Sequence, residues 1–361
     1  MNTRIVINSS ILFLLLLVGG SCKHDPPTGI HTCDTCNIDT SHHTTSNDST
    51  SHNFTWAQST ISGEAGLTGC WVFGPRNIYV VGGGVHKYDG VSWKNVSPNS
   101  IHGSLDGLLS GSSMFAFSEG DYWLTDGFPI RVGNGVGIEH RMDSLGNPYL
   151  HSSWGTSSSN MYSVGDGGTI LHFDGTKWTK MQSGTIRDLV TIWGTNGNNI
   201  WAGGFKNSTD ESVLLHYDGI SWHSIDLSTV GNISPHAHVI NAAWTVDSAG
   251  TSLAATAGTS LWRTSNGTQW RCDSSLLPNS LQGNGFVTLY YLHGNSINDY
   301  VAEGSWGWVG HWNGRSWKRF DELYDPQISD FLAGGIHIKD NTICAVGEKN
   351  GQAWIAIGQR K

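Results

Sequence analysis

The apolar positions of this chain fall in short runs of about four to six residues, separated by polar turns. In the clearest stretch Val190–Gly194 is one run, residues 196–199 form a turn, and Ile200–Gly203 is a second run. Phe205–Ser212 then reads as a loop, Val213–Tyr217 as a third run, and Asp218-Gly219 as a turn leading to Ser221-Trp222. Such runs, bounded by Gly, Asn and Asp, predict strands. Helices would need an apolar face repeating every three to four residues over a longer span. Five segments carry Asp or Asn, then Gly, two variable residues and Trp: Asp89-Gly90 to Trp93, Asp174-Gly175 to Trp178, Asp218-Gly219 to Trp222, Asn266-Gly267 to Trp270 and Asn313-Gly314 to Trp317. An aromatic precedes four of these turns: Tyr88, Phe173, Tyr217 and Trp312. The dipeptides predict two-residue hairpin turns with positive φ at both central positions, and the Trp sits on the strand that leaves.

The unit recurs along the chain. Trp178, Trp222, Trp270 and Trp317 are spaced 44 to 48 residues apart. Four short strands in that length predict one blade of a β-propeller. Trp93 and Trp178 are 85 residues apart, which leaves room for a degenerate blade with Asp121–Leu124 as its second strand. After Trp317 a partial unit contains Thr342–Gly347 and Gln352–Ile357 but has no fourth strand. Phe54–Ser59 resembles Trp178–Ser183, so this N-terminal strand is expected to complete the last blade and remove a free sheet edge. The expected fold is all-β: a single β-propeller over residues 54–361, with seven four-stranded blades closed by an N-terminal strand. A count of six or eight stays open because residues 105–150 are poorly patterned.

Trp154-Gly155 and Trp193-Gly194, with the Asp-Gly-x-x-Trp marks, resemble the repeats of bacterial secreted and lipoprotein propellers of the Bacteroidetes group. Gly203-Gly204, Tyr217 and Trp222 give a more distant, kelch-like resemblance, shared with photosystem-assembly propellers. The resemblance implies a fold and leaves function open, because propellers host hydrolases, lyases, lectins and scaffolds. The sialidase Asp-box has one residue between Asp and Gly, which this chain lacks.

Composition sharpens the picture. Among 361 residues 14% are charged, with 47 Gly, 17 Trp and a formal net charge of −9. Nucleic-acid binding is not expected, since Lys and Arg are scattered singly and form no basic stripe. Ile11–Val18 is an apolar run too short to span a bilayer, and Gly19-Gly20-Ser21 then precede Cys22. This pattern resembles a signal peptide (1–21) ending in a relaxed lipobox. It implies lipidation at Cys22 and export to the outer membrane, facing the periplasm or the cell surface. Residues 22–53 have almost nothing apolar to bury and are expected to form a disordered tether. Within it, Cys33 and Cys36 are expected to be a local disulfide or an inert pair.

Repetition separates structural residues from candidate site residues. His172, His216 and His311 each precede the aromatic of a turn, so they are expected to serve their blades and not to share a metal. Cys70, Cys272 and Cys344 fall on strands of different blades and read as small buried apolar residues. What fails to repeat is the loop Glu303–Trp308, where Trp306 and Trp308 offer stacking rings, and the loop Phe205–Ser212 with Glu211. Long connections add His236, His238 and Tyr324. The expected ligand-binding set is therefore Trp306, Trp308, Glu303, Tyr324, Glu211, His236 and His238. No catalytic constellation is identifiable and neither cofactor nor metal is expected. The leading expectation is a monomeric, non-catalytic module that binds a glycan or a protein at the cell envelope. A carbohydrate-active enzyme using loop carboxylates and a scaffold for an envelope complex are the alternatives.

Overall fold

A computed structural model of the chain describes residues 49–98, 113–140, 143–206, 211–226, 240–245, 253–257, 260–264, 270–272, 288–325, 327–328 and 330–361. Cys22, Cys33, Cys36, His236 and His238 lie outside these residues. Among the described residues no helix is long and apolar enough to cross a membrane.

Strand β1 (Phe54–Ser59) precedes the first complete unit, β2 (Leu67–Gly74), β3 (Asn77–Gly82), β4 (Val85–Tyr88) and β5 (Trp93–Asn95). The weakly patterned stretch holds β6 (Ser113–Ser118), β7 (Asp121–Asp126), β8 (Phe128–Gly133) and β9 (Val136–Glu139). Next come β10 (Leu150–Ser157), β11 (Asn160–Gly165), β12 (Thr169–Phe173) and β13 (Trp178–Met181), then β14 (Asp188–Asn196), β15 (Asn199–Lys206), β16 (Glu211–Tyr217) and β17 (Trp222–Ser224). The chain continues through β18 (Ile240–Thr245), β19 (Leu253–Ala257), β20 (Ser260–Thr264) and β21 (Trp270–Cys272) to β22 (Leu289–Ser296), β23 (Asp299–Gly304), β24 (Val309–Trp312) and β25 (Trp317–Arg319). It ends in β26 (Phe331–Lys339), β27 (Thr342–Lys349) and β28 (Gln352–Arg360).

Each consecutive set of four pairs antiparallel as one sheet, and the last three strands take β1 as their fourth, in the order β1-β28-β27-β26. The described strands therefore form seven four-stranded sheets. The first strands of successive sheets pack on one another: β2 on β6, β6 on β10, β10 on β14, β14 on β18, β18 on β22, β22 on β26 and β26 on β2. This sequence of contacts closes on itself, and the molecule is a single β-propeller. Among the described residues, buried apolar clusters bridge neighbouring sheets. At the seam, for example, Leu67, Cys70, Val72, Ile78 and Val80 of one blade interlock with Cys344, Val346, Ala353, Ile355 and Ile357 of the next.

Closure runs in register from Phe54 opposite Arg360 to Ser59 opposite Ile355. Contacts of the body begin before Phe54. Thr50 Oγ1 donates to Asp299 Oδ1 (2.9 Å), Asn313 Nδ2 donates to the Thr50 carbonyl (3.0 Å), and His52 Nδ1 lies 2.8 Å from His311 Nδ1.

The repeated turns differ from the two-residue form expected from Asp-Gly and Asn-Gly. Tyr88 pairs with Trp93, so four residues make the turn, and only the glycine has positive φ: Gly90 at 93°, Gly175 at 93°, Gly219 at 94° and Gly314 at 90°. The preceding acid or amide is a cap. Asp89 Oδ1 accepts from the Val91 and Ser92 amides at 2.9 Å each, and Asp174, Asp218 and Asn313 repeat the arrangement. These are Asx turns, in which the side chain satisfies amides that the ladder leaves unpaired. The loop expected over Phe205–Ser212 is also shorter than read: β15 and β16 extend to pair Lys206 with Glu211, so only residues 207–210 connect them.

Candidate functional site

The first strand of each blade lines the axis. At the position that pairs with the middle of the second strand, six blades carry a ring: Trp71, Phe115, Trp154, Trp193, His293 and His337. In the remaining blade Trp244 holds the same register position, opposite Ala254. The rings meet. His293 stacks on His337 with centroids 3.7 Å apart, Trp71 lies 4.3 Å from His337, and Phe115 lies 5.8 Å from Trp193. Trp71 and Trp193 come within 6.5 Å although their blades are three apart, so the rings fill the bore at this level. Burial lowers the pKa of His293 to about 3 and that of His337 well below the usual imidazole value. Both are neutral at physiological pH, and each uses Nδ1 to accept a backbone amide, Ile338 for His293 and Val72 for His337. A ligand entering along the axis thus meets an aromatic floor.

In this topology the connections into each first strand share one end of the bore with the connections between second and third strands. Several large apolar side chains stand exposed there. Ile186 is 76% exposed, Leu332 59% and Tyr149 48%, and Tyr290 occupies the bulge between Leu289 and Tyr291. Half-buried Trp306 and Tyr324 lie on the same end, packed at the edge of the cluster that contains Leu289 and Trp308. Titratable groups mix with these rings. The Tyr149 hydroxyl donates to Asp126 Oδ1 (3.3 Å), and burial raises the Asp126 pKa to about 6. The Arg319 guanidinium lies 4.4 Å from the Tyr324 ring centroid and donates from Nε to Asp321. A groove of about 550 Å³ is lined here by Gly167, Gly168, Lys180, Thr185, Ile186 and Arg187, among others.

The expected contact residues divide. Trp306 stands in the turn Ser305–Gly307 at φ 58°, ψ 28°, and its carbonyl accepts from the Asp325 amide (3.1 Å). The equivalent turn, Asp166–Gly168, puts Gly167 in the same conformation, φ 61°, ψ 31°. A tryptophan therefore occupies a left-handed position for which another blade uses glycine, a conformation that costs a bulky residue about 1–2 kcal/mol. Trp308 is not available as a contact: it is 1% exposed and lies over Gly310, where an added Cβ would come within 2.3 Å of the indole.

Glu303 is not a loop carboxylate either. It is a β23 residue, 0% exposed, opposite Tyr291, at a register position held in other blades by Val81, Thr125, Val164 and Val346. Its Oε2 accepts from the Gly335 amide of the next blade (3.1 Å), beside the register shift between Ala333 and Gly335. Its Oε1 is buried with no hydrogen-bond partner, and burial raises its pKa well above the usual carboxyl value. Glu303 is thus a buried inter-blade group and not a surface carboxylate. Glu211 is placed by its backbone at the start of β16.

The repeated histidines do serve their blades. His172 Nε2 bonds Asn160 Oδ1 (2.6 Å), His216 Nε2 bonds Asn199 Oδ1 (2.8 Å) and His311 Nε2 bonds Asp299 Oδ1 (2.7 Å). In each case the first residue of the second strand meets the third strand. Among the described residues no group of three or more His, Cys, Asp and Glu is placed to hold a metal ion. Sequence reasoning missed the exposed Tyr149, Tyr290 and Leu332. Their only signal was a large apolar residue at the start of a first strand, where the first complete blade has Gly66 and Thr68.

No protein-family profile matches the chain, and no curated protein matches it by sequence. The fold is similar to solved β-propellers. YCF48 bound to a D1 peptide aligns at TM-score 0.61 and 13% identity, over 85% of this chain and 95% of that one. The extracellular domain of a protein described as a hybrid two-component system (BT4673) of B. thetaiotaomicron aligns at 0.61 and 12%, over 84% of this chain and 40% of that one. The WD40 propeller domain of Doa1 aligns at 0.58 and 11%, over 84% of this chain and 96% of that one.

Proposed function

We propose that this protein is a non-catalytic binding module that takes a protein segment on the loop face of the propeller, above the aromatic floor. The observation that carries the reading is Trp306, only partly buried at this end and held in a backbone conformation that another blade reserves for glycine. Strain of this kind persists where the side chain has a use. The company it keeps favours a protein over a sugar. Tyr324 packs at the same cluster edge with the Arg319 guanidinium over its ring, exposed Leu332 and Tyr290 stand at the starts of first strands at this end, and mixed aliphatic and aromatic anchors with an Arg at the rim suit a polypeptide. The solved YCF48 complex, in which a propeller of similar fold holds a peptide, supports the same choice.

The test is selection of displayed random peptides against the full chain, run beside a glycan array. The reading expects enriched peptides whose binding falls at least tenfold in Trp306→Ser and in Leu332→Ser, both folded by circular dichroism. Peptides indifferent to both changes, or a glycan bound through Trp306, would overturn it. A glycan that is cleaved would promote the enzyme alternative. Anchoring at the envelope is a separate proposal that rests on the Cys22 pattern. It expects labelled fatty acid to be incorporated by the wild-type chain and not by Cys22→Ala.

A further inference from the structure

Cys70 and Cys344 are separated by most of the chain but meet at the seam where the ring closes. Cys70 is on β2, the first strand of the first complete blade, and its side chain faces the closing blade within the cluster that also holds Val346, Ala353 and Ile355. Cys344 is on β27 of that closing blade, opposite His337, and faces back toward β2. Cys70 Sγ donates to the Cys344 carbonyl at 3.3 Å and lies 3.5 Å from the Gly335 carbonyl. Both cysteines are free and buried. The Cys70 sulfur thus touches the backbone of Cys344 itself, and a disulfide between the two needs Cα atoms roughly 4.4–6.8 Å apart.

We propose that Cys70 and Cys344 are a disulfide site that staples the first blade to the closing blade. The oxidant is a small or protein disulfide of the kind present in oxidising compartments. One cysteine thiolate attacks that disulfide, forming a mixed disulfide and releasing one thiol. The second cysteine then attacks the mixed disulfide, forming Sγ–Sγ and releasing the other thiol. Two protons leave the protein, and the two electrons lost by its sulfurs reduce the oxidant to two thiols. Because both sulfurs are buried, the bond forms while the seam is still assembling or is transiently open, and the native, reduced protein resists oxidant. The staple spans nearly the whole chain, and constraining so long a loop in the unfolded state is where cross-linking stabilises most.

The full chain is refolded in a glutathione redox buffer, remaining thiols are alkylated under denaturing conditions, and the protein is mapped by mass spectrometry without reduction. The inference expects a cross-linked peptide pair joining Cys70 to Cys344, two hydrogens lighter than the separate peptides. It further expects the midpoint of thermal unfolding to fall by several degrees on reduction in the wild type and to be unmoved by reduction in Cys344→Ala. Oxidant added to the native reduced protein should leave both thiols alkylatable. Recovery of Cys70 and Cys344 as alkylated thiols after oxidative refolding, with only other cysteines paired, would overturn the inference whatever the stability data show.

Discussion

At the scale of single residues, two tryptophans two positions apart have opposite roles. Trp308 fills a buried space over Gly310, so Trp308→Ala should cost about 3–5 kcal/mol, the usual range for emptying a core aromatic site. Trp306→Gly relaxes a left-handed residue while giving up partial packing, and should change stability by less than about 1 kcal/mol. Urea unfolding of both variants checks the contrast. If the two losses were equal, Trp306 would be a packing residue like its neighbour. Buried titratable groups set a pH profile whose arms have different origins. Glu303 has a raised pKa in the folded state, so its favourable contribution is complete below about 4.5 and is lost as pH rises through the folded value. The desolvated histidines act in the other direction. His293 is lowered to about 3 and His52 to about 4, so stability is lost as pH falls below about 6.5, where the unfolded chain takes up protons first. Glu303→Gln keeps the acceptor for the Gly335 amide and should flatten the decline on the alkaline side without altering the acid side. Thermal unfolding from pH 4 to 9 reads both arms. An unchanged alkaline arm would mean that Glu303 is ionised in the folded protein.

At the scale of elements, each blade depends on a capped outer turn. Asp218→Ala removes the acceptor of two amides and should destabilise the protein measurably, whereas Asp218→Asn should be nearly neutral because Asn313 already plays the part. Chemical unfolding of the two variants distinguishes capping from charge. These turns were legible in the sequence because Asp-Gly-x-x-Trp repeats, although the dipeptide alone suggested the wrong turn: a short Asx cap and a two-residue hairpin share the same two letters and differ only in register. Strand positions were legible wherever apolar runs alternated with Gly and Asn, down to Asp121–Leu124 within β7. The candidate site was legible in part. Trp306 stood out because it broke the repeat, and so did Glu303 and Trp308, but departure from a repeat marks a changed environment without saying whether that environment is wet or buried. One turn of chain separates the partly buried Trp306 from the 1%-exposed Trp308, and only packing against Gly310 decides between them. The meeting of Cys70 with Cys344 was invisible for a related reason: blade membership was readable, but which face of a strand turns toward which neighbour was not.

At the scale of the whole molecule, closure joins the two ends of the chain. Removing residues 1–59 would leave the β28 edge unpaired and take away the Thr50 and His52 contacts to Asp299, Asn313 and His311. That truncation should associate through the open edge, eluting ahead of the intact chain in size exclusion, and added peptide 49–61 should reverse the shift. A truncated protein that stays monomeric without the peptide would show that the remaining strands close the ring unaided. The same junction has a mechanical meaning. A pull on the N-terminal segment does not load all blades together. It reaches the hydrogen bonds of Thr50 and His52 first, and then the end of β1 where Phe54 faces Arg360. Because β1 and β28 are antiparallel and the force enters at one end of the pair, the strands unzip rung by rung, and no set of bonds resists in shear. Under tension the protein should therefore yield at a low first force by shedding one strand, with a second, larger event when the remaining blades give way.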